Sequence, residues 1–165
     1  MLGRNARILP GAPEAFEQGC RDVLKESWWS LVDSPASLTL APLLTRRVRL
    51  SDFPGGLLIF HPSALPYRRG PDAIRHTVTA GERVSAATWF LADEGLDTGP
   101  IVAQEVVVLK PGESAGRAYH TRFIPAAVEA LRTALWRLSI NRRPKVQDEA
   151  LATYDGRFRA EKNVV

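Results

Sequence analysis

The sequence predicts an α/β fold on a mostly parallel sheet, and three observations carry that prediction. Helical patterns alternate with apolar strand patterns over most of the chain, which suits helices layered on a sheet. The run Leu57-Leu58-Ile59-Phe60 is apolar without alternation, as in a strand buried on both faces. Breaks such as Gly55-Gly56, Pro62, Pro66, Gly81 and Pro111-Gly112 separate the patterns into short elements.

Residues 6–9 (ARIL) read as a short strand. From Pro13 to Val32 the positions Phe16, Cys20, Val23, Leu24, Trp28 and Leu31 recur at helical spacing. Pro13 suits the first turn, where its missing N–H would have no partner anyway. Asp33-Ser34-Pro35 stops the helix, and residues 37–41 (SLTLA) read as a strand. After the strand at 57–60, residues 72–80 predict a helix closed by Gly81. Residues 85–92 and 101–109 predict two further strands. Ser114 can cap a helix, and Pro125 fits the start of a segment whose Ile124, Val128, Leu131, Leu135 and Leu138 form one apolar stripe. The four tryptophans, at 28, 29, 89 and 136, suit a core or an interface rather than a ligand cage. The chain reads as a single domain over 1–165, with 142–165 as a polar, extended tail.

The bulk composition narrows the classes. A hydrophobic fraction of 45% and a charged fraction of 24% suit a soluble globular protein. The one cysteine, Cys20, excludes an internal disulfide and argues against a cysteine metal site, which fits a cytoplasmic setting. No apolar run is long enough for a signal peptide or a membrane span. The formal charge of +4 comes from scattered arginines, in groups at 46–49, 68–69 and 142–143. Basic groups alone are weak grounds for nucleic-acid binding, and a solvated surface explains them.

In α/β sheets ligands collect at the carboxyl ends of strands. His61 directly follows the buried strand, and Asp97 lies in the loop after the next one. If those strands are neighbours, the two side chains meet in one crevice as a general acid/base pair. The plainer readings stand beside this one. A lone histidine after a strand is more often structural, and an aspartate in a glycine-flanked turn usually makes turn hydrogen bonds. His76 and His120 fall on helices and read as structural. Ser63 lacks the Gly-x-Ser-x-Gly setting of a hydrolase nucleophile.

"HPSALPYRRG" followed about thirty residues later by "DEGLDTGPIV" resembles the 10-formyltetrahydrofolate-dependent formyltransferase family. Its signature reads Asn-x-His-Pro-Ser-Leu-Leu-Pro, an Arg-Gly loop, a helix and a Leu-Asp-Thr-Gly loop. "TWFLADEGLDTGPIVAQEVVVL", "AYHTRFIPAAVEAL" and "ATYDGRFRAEKN" resemble most the hydrolase domain of 10-formyltetrahydrofolate dehydrogenase, over roughly residues 36–160.

The resemblance implies a Rossmann-like formyltransferase fold and a site for 10-formyltetrahydrofolate, without a metal. His61 and Asp97 match the family's catalytic histidine and aspartate. The implied substrate-binding residues are Ile59, Ser63, Leu43, Leu44, Ala92, Asp93, Glu94 and Gly95. Ile59 stands where the transferases carry an asparagine, and it has no donor for a developing oxyanion. Isoleucine suits the hydrolase branch, so cleavage by water is favoured over transfer to an amine.

The alternative is a truncated, catalytically weak member that serves as a folate-binding or protein-interaction module. The resemblance also implies that the family's first strand, helix and strand are missing. The strand at 37–41 would then lie at an unpaired edge, to be covered by the N-terminal helix, a homodimer partner or a second chain.

Overall fold

The computed structural model describes residues 4–157, so the last eight residues of the expected tail, 158–165, lie outside the described residues. The elements in chain order are β1 (Asn5–Ile8), α1 (Glu14–Glu26), β2 (Ser30–Leu31), β3 (Thr39–Ala41), β4 (Leu57–His61), α2 (Ala73–Thr79), β5 (Val84–Leu91), β6 (Ile101–Val108), α3 (Ala115–Ala118) and α4 (Ile124–Ser139). The strands form one sheet in the order β2-β1-β3-β4-β5-β6. The first four run parallel, while β5 and β6 are antiparallel to their neighbours. The sheet is therefore mixed, and its parallel part ends at β4.

The expected unpaired edge beside β3 is corrected by the structure. β1 pairs along β3 in parallel, with Arg7 opposite Thr39 and Ile8 opposite Leu40. β2 then pairs with β1, Asn5 opposite Ser30. The chain supplies a strand, helix and strand of its own at this edge, so the reason for a homodimer or second chain there is gone.

Helix α1 ends earlier than its apolar spacing predicts. Glu14 and Glu17 sit favourably in its first turn, and Glu17 Oε1 accepts the Gly11 N–H at 2.9 Å. The helix stops at Glu26 because Trp28 takes a left-handed φ of 60° and turns the chain into β2. There Ser30 N–H donates to Arg4 O at 3.0 Å. Trp28 and Leu31 kept the helical phase but lie on the surface, Trp28 91% exposed. Trp136 is likewise exposed.

Three helices cover one face of the sheet. Phe16, Cys20, Val23 and Leu24 of α1, Ile74 of α2 and Ala127, Ala130, Leu131, Ala134 and Leu135 of α4 join Leu58, Phe60 and Trp89 in the main core. Phe16 meets Phe60 edge-on at 5.2 Å between ring centroids, and Phe60 lies 5.7 Å from Trp89. Trp89 Nε1 donates to Ala127 O at 2.8 Å, fixing α4 on β5. A single π turn at Tyr119–Phe123 joins α3 to α4. The opposite face holds a much smaller cluster of Leu65, Phe90 and Ile101 with Ile59 packed on it. Among the described residues no helix is long and apolar enough to cross a membrane.

Candidate active site

The alternation of β4 decides where the site forms. Leu58 and Phe60 point into the helix-covered core, so Ile59 and His61 share the other face. His61 is the last residue of β4 and is 7% exposed. Its Nε2 lies 2.8 Å from Arg68 O. A carbonyl oxygen only accepts, so Nε2 carries a proton and Nδ1 is the ring nitrogen turned towards Asp97.

The loop between β4 and α2 is tied down from below. Ser63 Oγ donates to Tyr67 O at 2.7 Å, and Thr88 Oγ1 donates to Ser63 O at 2.6 Å. Gln104 Nε2 donates both to Leu65 O and to Thr88 Oγ1, each at 2.9 Å. These bonds give Arg68 O a fixed place and so orient the imidazole.

Asp97 reaches His61 by a different route from the one parallel neighbours would give. Because β5 is antiparallel, Leu91 lies opposite Leu58, and Ala92 N–H donates to Leu57 O at 2.8 Å. The loop after β5 therefore starts at the far end of β4 and folds back. Asp93 Oδ1 shapes its turn by accepting from Gly95 N–H at 3.1 Å and Thr98 Oγ1 at 2.6 Å. At Gly99 a Cβ would lie 1.8 Å from Leu91 O, so only glycine lets the loop pass this close to the strand. Asp97 adopts a left-handed φ of 55°. Its Oδ2 accepts the Gly70 N–H at 2.8 Å and lies 3.7 Å from His61 Nδ1. One oxygen atom can sit about 2.8 Å from both of these groups, which is the reach proton transfer requires.

The other candidates divide. Ala41 pairs with Ile59, so Leu43 and Leu44 leave β3 at the end where β4 delivers His61. Leu43 is exposed and Leu44 half-buried. Ile59 is half-buried in the small cluster and offers no donor. Ala92 begins the returning loop, and Glu94 and Gly95 are exposed on it. Ser63 and Asp93 use their oxygens inside their own loops. A cleft of about 480 Å³ lined by Ser63, Tyr67, Arg68, Glu82 and Asp155, among others, includes neither His61 nor Asp97. Among the described residues no group of three or more His, Cys, Asp or Glu could hold a metal ion.

Periodicity gave no sign of the residues behind these two loops. Arg68 and Arg69 looked like solvated cations, yet Arg68 pairs with Glu82 and Asp155. Arg69 is 6% exposed and binds Gln147 and Glu149. The segment after Lys145, part of the stretch 142–165 expected as a polar, extended tail, lies against both loops. Ile101 and Lys145 exchange backbone hydrogen bonds at 2.8 Å, and Arg69 N–H donates to Thr153 O at 2.9 Å.

The formyl transferase family model matches residues 41–135, which is more than half of the chain. Mitochondrial 10-formyltetrahydrofolate dehydrogenase from Mus musculus is 34% identical over 125 residues, covering 73% of this chain and 14% of that protein. Methionyl-tRNA formyltransferase from Chloroflexus aurantiacus is 46% identical over 74 residues, covering 45% of this chain and 24% of that one. The chain thus spans well under a third of the curated relatives it matches. The crystal structure of HypX from Aquifex aeolicus in complex with tetrahydrofolic acid superposes with a TM-score of 0.81 at 20% identity, over 95% of this chain and 30% of that one, a likeness of fold. On the family match and its extent, the chain belongs to the formyl transferase family.

Proposed function

We propose that this chain acts on the formyl group of 10-formyltetrahydrofolate, with water as the preferred acceptor and with His61 and Asp97 as the catalytic residues. The observation that carries the reading is the 3.7 Å approach of Asp97 Oδ2 to His61 Nδ1 on one face of the sheet. Family membership supports the folate substrate, as do a relative named for 10-formyltetrahydrofolate and a structural neighbour solved with tetrahydrofolic acid.

In this reading Asp97 accepts a proton from water as the water oxygen attacks the formyl carbon. His61, protonated at Nδ1 from solvent before the attack, donates a hydrogen bond to the formyl oxygen as it gains negative charge and keeps its proton throughout. The bond from the carbon to N10 then breaks as N10 takes the proton held by Asp97, formic acid loses its own proton to solvent, and formate and tetrahydrofolate leave. Leu43, Leu44 and the loop from Ala92 to Gly95 would hold the pterin. The absence of a donor at Ile59 favours water, because the transferases' asparagine at that position is missing. One such donor is typically worth about 10²–10³ in rate.

The test is formate release from 10-formyltetrahydrofolate by the purified chain, with no amine acceptor present. The expected result is steady release that falls by about 10²–10⁴ in Asp97→Ala. Tight folate binding with no formate released would sink the hydrolytic reading and favour a binding module.

A further inference from the structure

We propose that the segment from Lys145 to Asp155 is a positioning strap for the site, with Gln147 as the residue that sets the place of Asp97. The proposal deepens the functional reading above and rests on it for its kinetic arm.

Gln147 is 5% exposed, and its single amide is fully engaged. The Nε2 group donates to Asp97 O at 2.8 Å and to Gly99 O at 2.7 Å. Its Oε1 accepts from Arg69 Nε at 3.1 Å and from Arg69 Nη2 at 2.9 Å. Arg69 lies between the two residues whose backbones hold the catalytic pair. Arg68 O binds His61 Nε2, and Gly70 N–H binds Asp97 Oδ2. A closed ring results, running from the Asp97 carbonyl through Gln147 and Arg69 to Gly70, and back to the Asp97 carboxylate.

The ring needs the chemistry of glutamine. Two donors must face two carbonyls while an acceptor faces a guanidinium, all from one planar group. Glutamate has no donors, and asparagine is a methylene too short. The strap is in turn anchored on both sides of the ring. Arg69 also binds Glu149 at 2.6 and 2.9 Å, Arg69 N–H donates to Thr153 O, and Asp155 N–H donates to Arg69 O at 2.8 Å. At Gly70, with φ at 100°, a Cβ would lie 2.3 Å from Asp155 O, so the strap presses directly on the residue that binds Asp97. Asp97 needs such support, since a left-handed non-glycine residue persists only where its surroundings over-determine it.

The direct readout is amide hydrogen exchange at Gly70, whose N–H is bonded to Asp97 Oδ2. In Gln147→Met, which keeps the length and removes the amide, Gly70 exchange should quicken by about tenfold or more while the β4 amides stay within about twofold. Gln147→Asn should do the same and serves if the methionine variant does not fold. The kinetic arm is formate release, where kcat should fall by about 10-fold to 10²-fold with little change in KM, as a displaced catalytic group does. Gly70 exchange that stays slow, or that quickens in step with β4, would overturn the positioning role, as would failure of both variants to fold. If the unaltered chain releases no formate, the functional reading fails alone and the exchange result still decides this one.

Discussion

Successive residues of β4 look into two different worlds. Leu58 and Phe60 enter a core shared with three helices, where Phe16, Trp89, Leu131 and Leu135 are almost fully buried. Ile59 and His61 face the other side, where Ile59 packs on a cluster of only three apolar residues, beyond which polar bonds take over. The first face is held by burial, which is non-directional and scales with area. The second is held by hydrogen bonds from Ser63, Thr88, Gln104, Arg69 and Gln147, each fixing one carbonyl or carboxylate. Area gives the chain its stability, whereas directional bonds fix the places of His61 and Asp97, the proposed catalytic pair.

The core face is the more costly of the two to disturb. Phe16→Ala removes the ring wedged between Phe60 and Trp89 and should cost about 3–5 kcal/mol in urea unfolding. Its formate release per folded molecule should remain close to that of the unaltered chain. A loss of activity larger than the loss of folded protein would show that the helix face also sets the site geometry.

Acid has a milder effect, through two carboxyls that lie lowered among the described residues, Glu113 next to α3 and Glu149 on the strap. Glu113, beside α3, accepts the Lys110 N–H at 3.2 Å and the Thr121 hydroxyl at 3.2 Å, which hold its carboxyl below the usual range. On the strap, the Arg69 guanidinium does the same to Glu149. A carboxyl lowered by folding contributes stability above its unfolded value and loses it as pH falls through the folded one. Unfolding midpoints measured from pH 6 down to pH 3 should therefore decline less steeply in Glu113→Gln. Glu149→Gln should flatten that decline as well, and it alone should also flatten the acid dependence of the Gly70 protection factor. Equal responses of the two variants at Gly70 would mean that the faces are not separable.

The difference between the faces also explains what could be read in advance. Burial writes itself into sequence as periodicity, so Phe16, Cys20, Val23 and Leu24 announced α1, and the run at 57–60 announced β4. The same signal misled where phase outlived structure. Trp28 and Leu31 continued the helical spacing, but a left-handed turn ended the helix and made β2. His61 and Asp97 were visible because each sits in a recognisable loop motif. Their approach was not derivable from strand order, since β5 proved antiparallel. Gln147 and Arg69 were invisible for a physical reason. They are joined by one amide across 78 positions of chain, and no local pattern records a contact of that kind.

Cys20 offers the finest test, because it reports on one face only. Its thiol is fully buried in the helix-side core, and burial, with the Glu17 carboxylate adding, pushes its pKa up to about 12. The thiolate is the reactive form, so at pH 8 alkylation must wait for the core to open. In Phe16→Ala the labelling rate should rise by about 10²–10⁴, tracking the loss of global stability at about tenfold per 1.4 kcal/mol. In Gln147→Met it should stay within about threefold of the unaltered chain, even as Gly70 exchange quickens. Loosening of Cys20 by the strap variant would mean that the site face opens only when the whole sheet does. Silence at Cys20 would show that the site can lose its geometry while the core that carries it stays shut.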